Sequence, residues 1–225
     1  MALVDYLIKN GWLTTPAIIE AFKKIKRADF LPTSPIGKNS SVFYKKKEIK
    51  QIAEINEALP IGYGQTISQP AVVAFMLEEL KPKAGDKVLD IGFGSGWTAA
   101  LLAYIVSSAG KSKKGKVIAI ERIPELKEFG EKNIAKYSFI KKGTVKCICA
   151  DGSVGFRKEA PFDKILVSAR AETLFSAWKE QLSVGGRIVL PIDSSIWRVD
   201  KKSNKLFEKV EYPGFAFVPL IVDDK

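Results

Sequence analysis

The chain contains no histidine. That absence excludes a Ser-His-Asp triad, a Cys-His pair and any imidazole metal ligand. Catalysis here must rest on carboxylates, lysines, hydroxyls or positioning. Cysteine is nearly absent too: Cys147 and Cys149 stand two apart in Val145-Lys-Cys-Ile-Cys-Ala-Asp151. On a strand such residues point to one face, in a geometry unsuited to an ordinary disulfide. Two thiols without histidine are too few for a structural zinc site. No metal is expected, and both cysteines read as small buried hydrophobes. No apolar run approaches the roughly 20 residues that span a bilayer. The start, Met1-Ala-Leu-Val-Asp-Tyr6, lacks a basic n-region and a cleavable apolar segment. A cytoplasmic protein with no membrane partner is expected.

What is present fits a globular protein. A length of 225 residues allows one full domain with a substantial core. The net charge of +11 raises the question of an acidic partner. The lysines, however, are spread along the chain. Their densest groups are Lys45-Lys-Lys47 and Lys111-Ser-Lys-Lys-Gly-Lys116, and no aromatic residues interleave with the second, as a stacking platform for bases requires. A solvated surface is the simpler reading, and nucleic acid is not expected as a partner.

Residues 1–32 read as helical. Leu3, Tyr6 and Leu7 form an apolar face, and Thr14-Thr15-Pro16 starts a second helix with Thr15 as cap and Pro16 at its first position. Residues 1–57 are expected to form an N-terminal helical segment and connection, and 58–225 the main domain, together one compact unit. From Ser68 onward strands and helices alternate, which predicts a doubly wound, mostly parallel α/β sheet with helices on both faces. Strands are expected at 87–91, 116–121, 145–150, 162–168 and 187–191. Further strands are expected at 196–199, 205–210 and 215–218. The helices fall at 70–80, 97–107, 123–137 and about 173–182.

Asp90-Ile-Gly-Phe-Gly-Ser-Gly96 follows a strand and opens a helix. Glycine permits the tight turn and lets a ligand lie against the backbone, while the helix start favours polar or anionic groups. Glu121 ends the next strand, where a carboxylate can accept from both ribose hydroxyls. The interval from Gly96 to Glu121 is 25 residues, slightly long for this pairing, and the lysine-rich loop at 110–115 accounts for the excess. A bare glycine-rich turn serves nicotinamide, flavin and S-adenosylmethionine enzymes alike. The GxGxG form preceded by Asp90 resembles class I methyltransferases more than dehydrogenases. In such enzymes the position of Asp151 contacts the adenine.

The rarer string is Leu59-Pro-Ile-Gly-Tyr-Gly-Gln-Thr-Ile-Ser-Gln-Pro70. It resembles the substrate loop of the protein-L-isoaspartate O-methyltransferase family almost letter for letter. Glu121-Arg-Ile-Pro-Glu-Leu126, Asp151-Gly-Ser153, Gly185-Gly-Arg-Ile-Val-Leu-Pro191 and Phe217-Val-Pro-Leu220 match that family in type and order. Arg27-Ala-Asp-Phe-Leu-Pro32 is similar to its R-x-x-F-x-P segment. The resemblance implies a seven-stranded Rossmann-like sheet and S-adenosylmethionine as cofactor, leaving as S-adenosylhomocysteine. It implies methyl transfer to the free carboxylate of L-isoaspartyl residues in damaged proteins, whose methyl ester then cyclises to a succinimide. Ser68 and Thr66 fall at the active-site positions. Asp90, Gly92, Gly94, Ser95, Gly96, Glu121, Arg122, Asp151 and Gly152 fall on the cofactor. Gln65, Ile67, Val218 and Leu220 fall on the substrate. The partners implied are isoaspartyl proteins and peptides; a monomer is the working expectation, with oligomeric state open.

This chemistry suits a chain without histidine. A carboxylate is already ionised at neutral pH and needs no general base. Ser68 can orient the substrate carboxylate, and the same residue can cap the following helix. Where the family carries small residues after the fourth strand, this chain reads Val167-Ser-Ala-Arg-Ala-Glu-Thr173. Arg170 either swings to solvent or reaches the substrate cleft to pair with a carboxylate. The lysine-rich stretch at 38–56 also departs from the family and is a candidate lid or docking surface. Two other functions stay open: an RNA methyltransferase, and a lapsed cofactor-binding protein.

Overall fold

The computed structural model describes residues 2–107 and 114–223. Helices α1 (Leu3–Lys9) and α2 (Pro16–Lys24) open the chain, followed by a 3-10 turn over Arg27–Phe30 and a short α3 (Ile49–Ala53). The rare string folds as a hairpin, β1 (Leu59–Gly62) and β2 (Gln65–Ile67), and leads into α4 (Pro70–Leu80). The alternating part comprises β3 (Lys87–Ile91), α5 (Trp97–Ser107), β4 (Lys116–Glu121), α6 (Pro124–Ala135), β5 (Val145–Cys149), β6 (Phe162–Val167) and α7 (Ser176–Gln181). It closes with β7 (Leu182–Ile192), β8 (Ser195–Lys201) and β9 (Phe207–Pro213).

The main sheet has seven strands in the order β5-β4-β3-β6-β7-β8-β9. The first five run parallel, and β8 and β9 are added antiparallel. The chain winds outward from β3 on one side and from β6 on the other. The carboxyl ends of β3 and β6 therefore border the crossover crevice where open α/β sheets bind ligands. Alternation along the strands divides the core. Val88, Val117 and Ala119 face the larger cluster with the N-terminal helices, α4 and α5, while Leu89, Ile91, Ile118 and Ile120 face Trp178 of α7. Leu3, Leu7, Ile18 and Phe22 share the larger cluster with Leu77, Leu101 and Ile196. Among the described residues no helix is long and apolar enough to cross a membrane.

Several local expectations change. Thr15 precedes α2 as expected, but its hydroxyl does not cap the helix; it donates to Glu78 Oε2 at 2.6 Å. Cys147 is half-buried, whereas Cys149 is exposed at the end of β5, the edge strand of the sheet. Phe215–Val218 is not a strand. Gly214 turns the chain at φ +96°, Phe215 N donates to Ser194 O, and beyond it the chain forms an isolated bridge between Arg170 and Pro219. Pro219 has no N–H to extend a ladder. β7 begins at Leu182, so Gly185 and Gly186 lie within it and not ahead of a strand starting at 187. Lys111 to Lys113 of the second lysine group lie outside the described residues.

Candidate active site

The turn after β3 bends toward β4. The amides of Gly92 and Phe93 donate to Ile120 O, at 2.8 and 3.2 Å. Gly92, Gly94 and Gly96 all have positive φ, a region that side chains rarely tolerate. Gly96 is also sterically fixed, since a Cβ there would stand 2.6 Å from Gly130 O in α6. At Gly92 and Gly94 the nearest neighbours of such a Cβ would be Ala169 and Ile61, at ordinary contact distances of 3.6 and 3.5 Å. The Ile61 contact joins the hairpin to the glycine turn.

Glu121 ends β4 beneath this turn and is buried. Its Oε2 accepts from Gly94 N and its Oε1 from Ile123 N, both at 2.9 Å. Burial raises its pKa, offset in part by these amide donors. A carboxylate offers about four acceptor positions, so Glu121 keeps capacity for a ligand hydroxyl. Asp90 is wholly buried one step behind the turn. Its Oδ2 accepts from Thr98 Oγ1 at 3.0 Å, while Oδ1 has no partner. Burial pushes its pKa up to about 7, against the pull of the Thr98 bond and with a further push from Glu121. Ser95 is buried too, and its hydroxyl accepts from Trp97 N at the start of α5.

The hairpin turns at Tyr63 and Gly64, both with positive φ, as a two-residue type I′ connection requires. Thr66 and Ser68 follow and are half-buried, while Ile67 points into the core. Ser68 does not cap α4: the cap residue is Gln69, and Ala71 N donates instead to Asn56 Oδ1 at 2.9 Å. Arg27 anchors the loop from below. Its guanidinium is buried and donates to the carbonyls of Ala53, Ile55, Glu57 and Ser68 at 2.6–3.3 Å. Burial lowers its pKa to about 10, so it stays charged at neutral pH. The 38–56 stretch runs along the hairpin, where Tyr44 donates to Pro60 O at 3.0 Å.

Two cavities meet at the crossover. The first is lined by Gly92 and Gly94 of the turn, by Glu121, Arg122 and Gly152 at the strand ends, and by the tail from Val218 to Ile221. The second, about 410 Å³, is lined by Ser68, Gln69 and Val72 and by the Gly214–Val218 segment. Thr66, Ser168 and Val218 border both. Gln65 lines the first cavity, and Leu220 lies between it and a neighbouring hollow holding Asp151 and Glu172. Arg170 is exposed and lines neither cavity. Its backbone does the holding: Arg170 N donates to Val218 O and Leu220 N to Arg170 O, each at 2.8 Å.

The tail continues over the cofactor-side cavity. Asp223 N donates to Asp151 Oδ2 at 3.1 Å, and the Asp223 carboxylate pairs with Arg122. Burial would raise the Asp151 pKa, but amide donors from Ser153 and Asp223, with Arg122 nearby, hold it below the usual range. With the tail in place the first cavity holds only about 50 Å³ of enclosed room. S-adenosylmethionine fits the chemistry of these walls: glycine backbone at positive φ, a buried carboxylate with spare acceptor capacity and strand-end carboxylates. That narrow part borders the hollow at Asp151, of about 780 Å³, through Leu220, and the acceptor-side cavity through Thr66, Ser168 and Val218, so together they offer the several hundred Å³ that sites for such ligands run to.

Sequence reasoning missed Ser168, Ala169 and Ile123 as cavity walls, and Arg27 as an anchor. The signal for Ser168 was its place directly after a buried parallel strand. For Arg27 the R-x-x-F-x-P segment marked the residue but not its role, because its partners are carbonyls up to 41 residues away.

A family model described as protein-L-isoaspartate(D-aspartate) O-methyltransferase matches residues 1–225. A protein-L-isoaspartate O-methyltransferase of Pyrococcus abyssi is 40% identical over 224 residues, covering 97% of this chain and 92% of the relative. That of Methanopyrus kandleri is 36% identical over 226 residues, covering 99% and 91%. A crystal structure from Plasmodium falciparum, assigned to the same enzyme class and holding S-adenosyl-L-homocysteine, superposes with a TM-score of 0.81. It is 23% identical and covers 97% of this chain and 96% of its own, so it speaks for the fold alone. From the whole-chain match and these relatives, the chain belongs to the protein-L-isoaspartate(D-aspartate) O-methyltransferase family.

Proposed function

We propose that this protein transfers a methyl group from S-adenosylmethionine to the free carboxylate of L-isoaspartyl residues in damaged proteins, giving an ester that closes to a succinimide. The observation that carries the reading is the meeting of two cavities, one walled by the glycine turn and Glu121, the other by the Ser68 hairpin. S-adenosylmethionine, when bound, supplies a methyl group already activated on a sulfonium. The chain's part is to hold the acceptor in line and exclude water.

The residue roles follow from this reading. The backbone at Gly92 and Gly94 receives the cofactor, with Asp90, Ser95 and Gly96 shaping the turn from behind. Glu121 accepts from the ribose, and Arg122, Asp151 and Gly152 flank the adenine side. Thr66 and Ser68 donate to the acceptor carboxylate. Val218, which borders both cavities, holds the acceptor chain, while Gln65 and Leu220 face the cofactor side, Ile67 supports the loop from the core, and Arg170 acts through its backbone pairing with the tail. The family match favours a protein acceptor over RNA and over a lapsed enzyme. We infer a cytoplasmic monomer whose partners are its damaged substrates.

The test is methyl transfer from labelled S-adenosylmethionine to a matched peptide pair, one with L-isoaspartate and one with L-aspartate. Base-labile label on the isoaspartyl peptide alone is the expected result. No label on either peptide, with cofactor binding confirmed by calorimetry, overturns the reading.

A further inference from the structure

Of the three residues that border both cavities, Ser168 comes from the sheet itself. It is the first residue after β6, at the crossover beside the end of β3. Its amide donates to Ile91 O at 2.8 Å, which fixes its backbone against the β3 strand end. A Cβ placed on Gly92 would touch Ala169 and the Ser168 carbonyl carbon at 3.6 and 3.9 Å, so the residue after β6 sits against the glycine turn. Ser168 thus directly follows β6 and is tied to the end of β3, unlike the hairpin residues.

Ser168 is half-buried, and its hydroxyl makes no hydrogen bond among the described residues. The same holds for the hydroxyls of Thr66 and Ser68. Three half-buried hydroxyls without protein partners thus surround one cavity. None of the three oxygens is sealed from solvent, so each is open to donate to a ligand that enters the cavity. A carboxylate accepts several such donors at once.

We propose that Ser168 is a further acceptor-binding residue, whose hydroxyl donates to the carboxylate that receives the methyl group. This rests on the methyl-transfer reading above and adds the sheet-borne member of the donor set. In the step itself an oxygen lone pair of the carboxylate forms the O–CH3 bond. The electron pair of the S–CH3 bond returns to sulfur. The charges of carboxylate and sulfonium cancel, and no proton moves. Ser168 therefore acts as a hydrogen-bond donor and not as a base. Placed between the two cavities, it sets which oxygen lone pair faces the methyl group, while Thr66 and Ser68 hold the carboxylate from the hairpin side.

The test compares wild type with Ser168→Ala, Ser168→Cys and Ser168→Thr. Calorimetry measures isoaspartyl-peptide affinity for each protein saturated with S-adenosylhomocysteine, and S-adenosylhomocysteine affinity without peptide. Methyl-transfer kinetics follow on the isoaspartyl and aspartyl peptides. S168A and S168C are expected to lose about tenfold in peptide affinity and at least as much in kcat/KM, while S-adenosylhomocysteine affinity stays within about twofold. S168T, which keeps the hydroxyl, is expected to stay within about threefold of wild type. Unchanged peptide affinity and kcat/KM in S168A overturn the proposal. So does a loss of S-adenosylhomocysteine affinity that accounts for the whole effect, or an S168T as impaired as S168A. A wild type that binds and methylates neither peptide overturns the functional reading and this proposal together; an active wild type matched by S168A overturns this proposal alone.

Discussion

Arg27 carries a full charge in the interior with no carboxylate within ion-pair distance among the described residues. Its Nη1 and Nη2 donate instead to four carbonyls while Nε finds no partner among the described residues, and the guanidinium lies over the Trp97 ring at 5.6 Å. One of those carbonyls belongs to Ser68 and another to Glu57, so the side chain ties the turn before the hairpin to the residue after it. Replacement by methionine keeps most of the volume and abandons the carbonyls. Arg27→Met is expected to lose roughly 3 kcal/mol of stability, the order seen when a buried hydrogen-bond network is broken. It is also expected to lower kcat/KM for the isoaspartyl peptide at a temperature where the variant is fully folded, with cofactor affinity nearly unchanged. Denaturant unfolding, calorimetry and kinetics on one preparation separate the two effects. Equal losses of cofactor and peptide affinity would mean a general loosening rather than a displaced loop.

Asp90 makes the second prediction at this scale. Its pKa is about 7 in the folded protein because of burial, against an ordinary value of 3.8. Between about pH 4 and 7 the folded protein keeps a proton that the unfolded chain has lost. Stability from this group is therefore fully present below about pH 4 and falls away as pH rises through 7. Asp90→Asn removes the titration. The stability of wild type relative to Asp90→Asn is expected to fall as pH rises from 4 to 8, measured by urea unfolding without cofactor. Parallel curves across that range would show that Asp90 does not titrate there.

The elements show where sequence patterns speak and where they are silent. The buried parallel strands were legible, with β3 and β4 placed to the residue, because both their faces are covered and continuous apolar runs mark them. The hairpin was not, since four- and three-residue strands carry too little alternation to register. Its type I′ turn needs positive φ at Tyr63, a residue that does not advertise it. Caps misled for a related reason. Thr15 and Ser68 are the right residue types at helix starts, yet the donors are satisfied from elsewhere, by Glu78 and Asn56. Such long-range caps are tertiary facts. Glu78 accepts from the amides of Thr14 and Thr15 and from the Thr15 hydroxyl, at 2.6–2.9 Å. Burial would raise its pKa, but the Thr15 and Thr14 donors outweigh burial and hold it below 4.5. Its contribution is thus present above the ordinary carboxylate range and lost as pH falls through the lowered folded value. Glu78→Ala is expected to cost about 1–2 kcal/mol at pH 7, the size of a charged cap. That difference is expected to shrink below about pH 4 in thermal or denaturant unfolding. A constant difference down to pH 3 would assign the loss to packing instead.

At the scale of the whole molecule, the Val218–Asp223 tail forms one wall of the cofactor-side cavity. The tail is pinned at Arg170 by two backbone bonds and at its far end by Asp223, which pairs with Arg122 and donates to Asp151. The sequence reading placed the Phe217–Leu220 stretch on the substrate and had no reason to extend it to Asp223. The partners of Asp223 become neighbours only when β4, β5 and the tail converge at one end of the sheet. The tail walls both the narrow cavity beside the glycine turn and the larger hollow at Asp151, so its mobility is expected to affect cofactor entry and exit. The two pins differ in strength. The Arg170 pairing is backbone and independent of side-chain identity, whereas the Asp223 pin depends on a solvent-exposed ion pair, worth at most about 1 kcal/mol and weakened by salt. Asp223→Ala removes the carboxylate but keeps the amide donor. It is expected to speed both association and dissociation of S-adenosylhomocysteine by up to about fivefold. Equilibrium affinity then changes less than either rate, because the same tail opposes both directions. Raising the salt concentration is expected to speed wild type toward the variant and leave the variant unmoved. Stopped-flow fluorescence from the protein's tryptophans follows both rates. A variant with wild-type rates at low salt would place the barrier in the Arg170 pairing, and one that only dissociates faster would make the tail a clasp on bound cofactor rather than a gate.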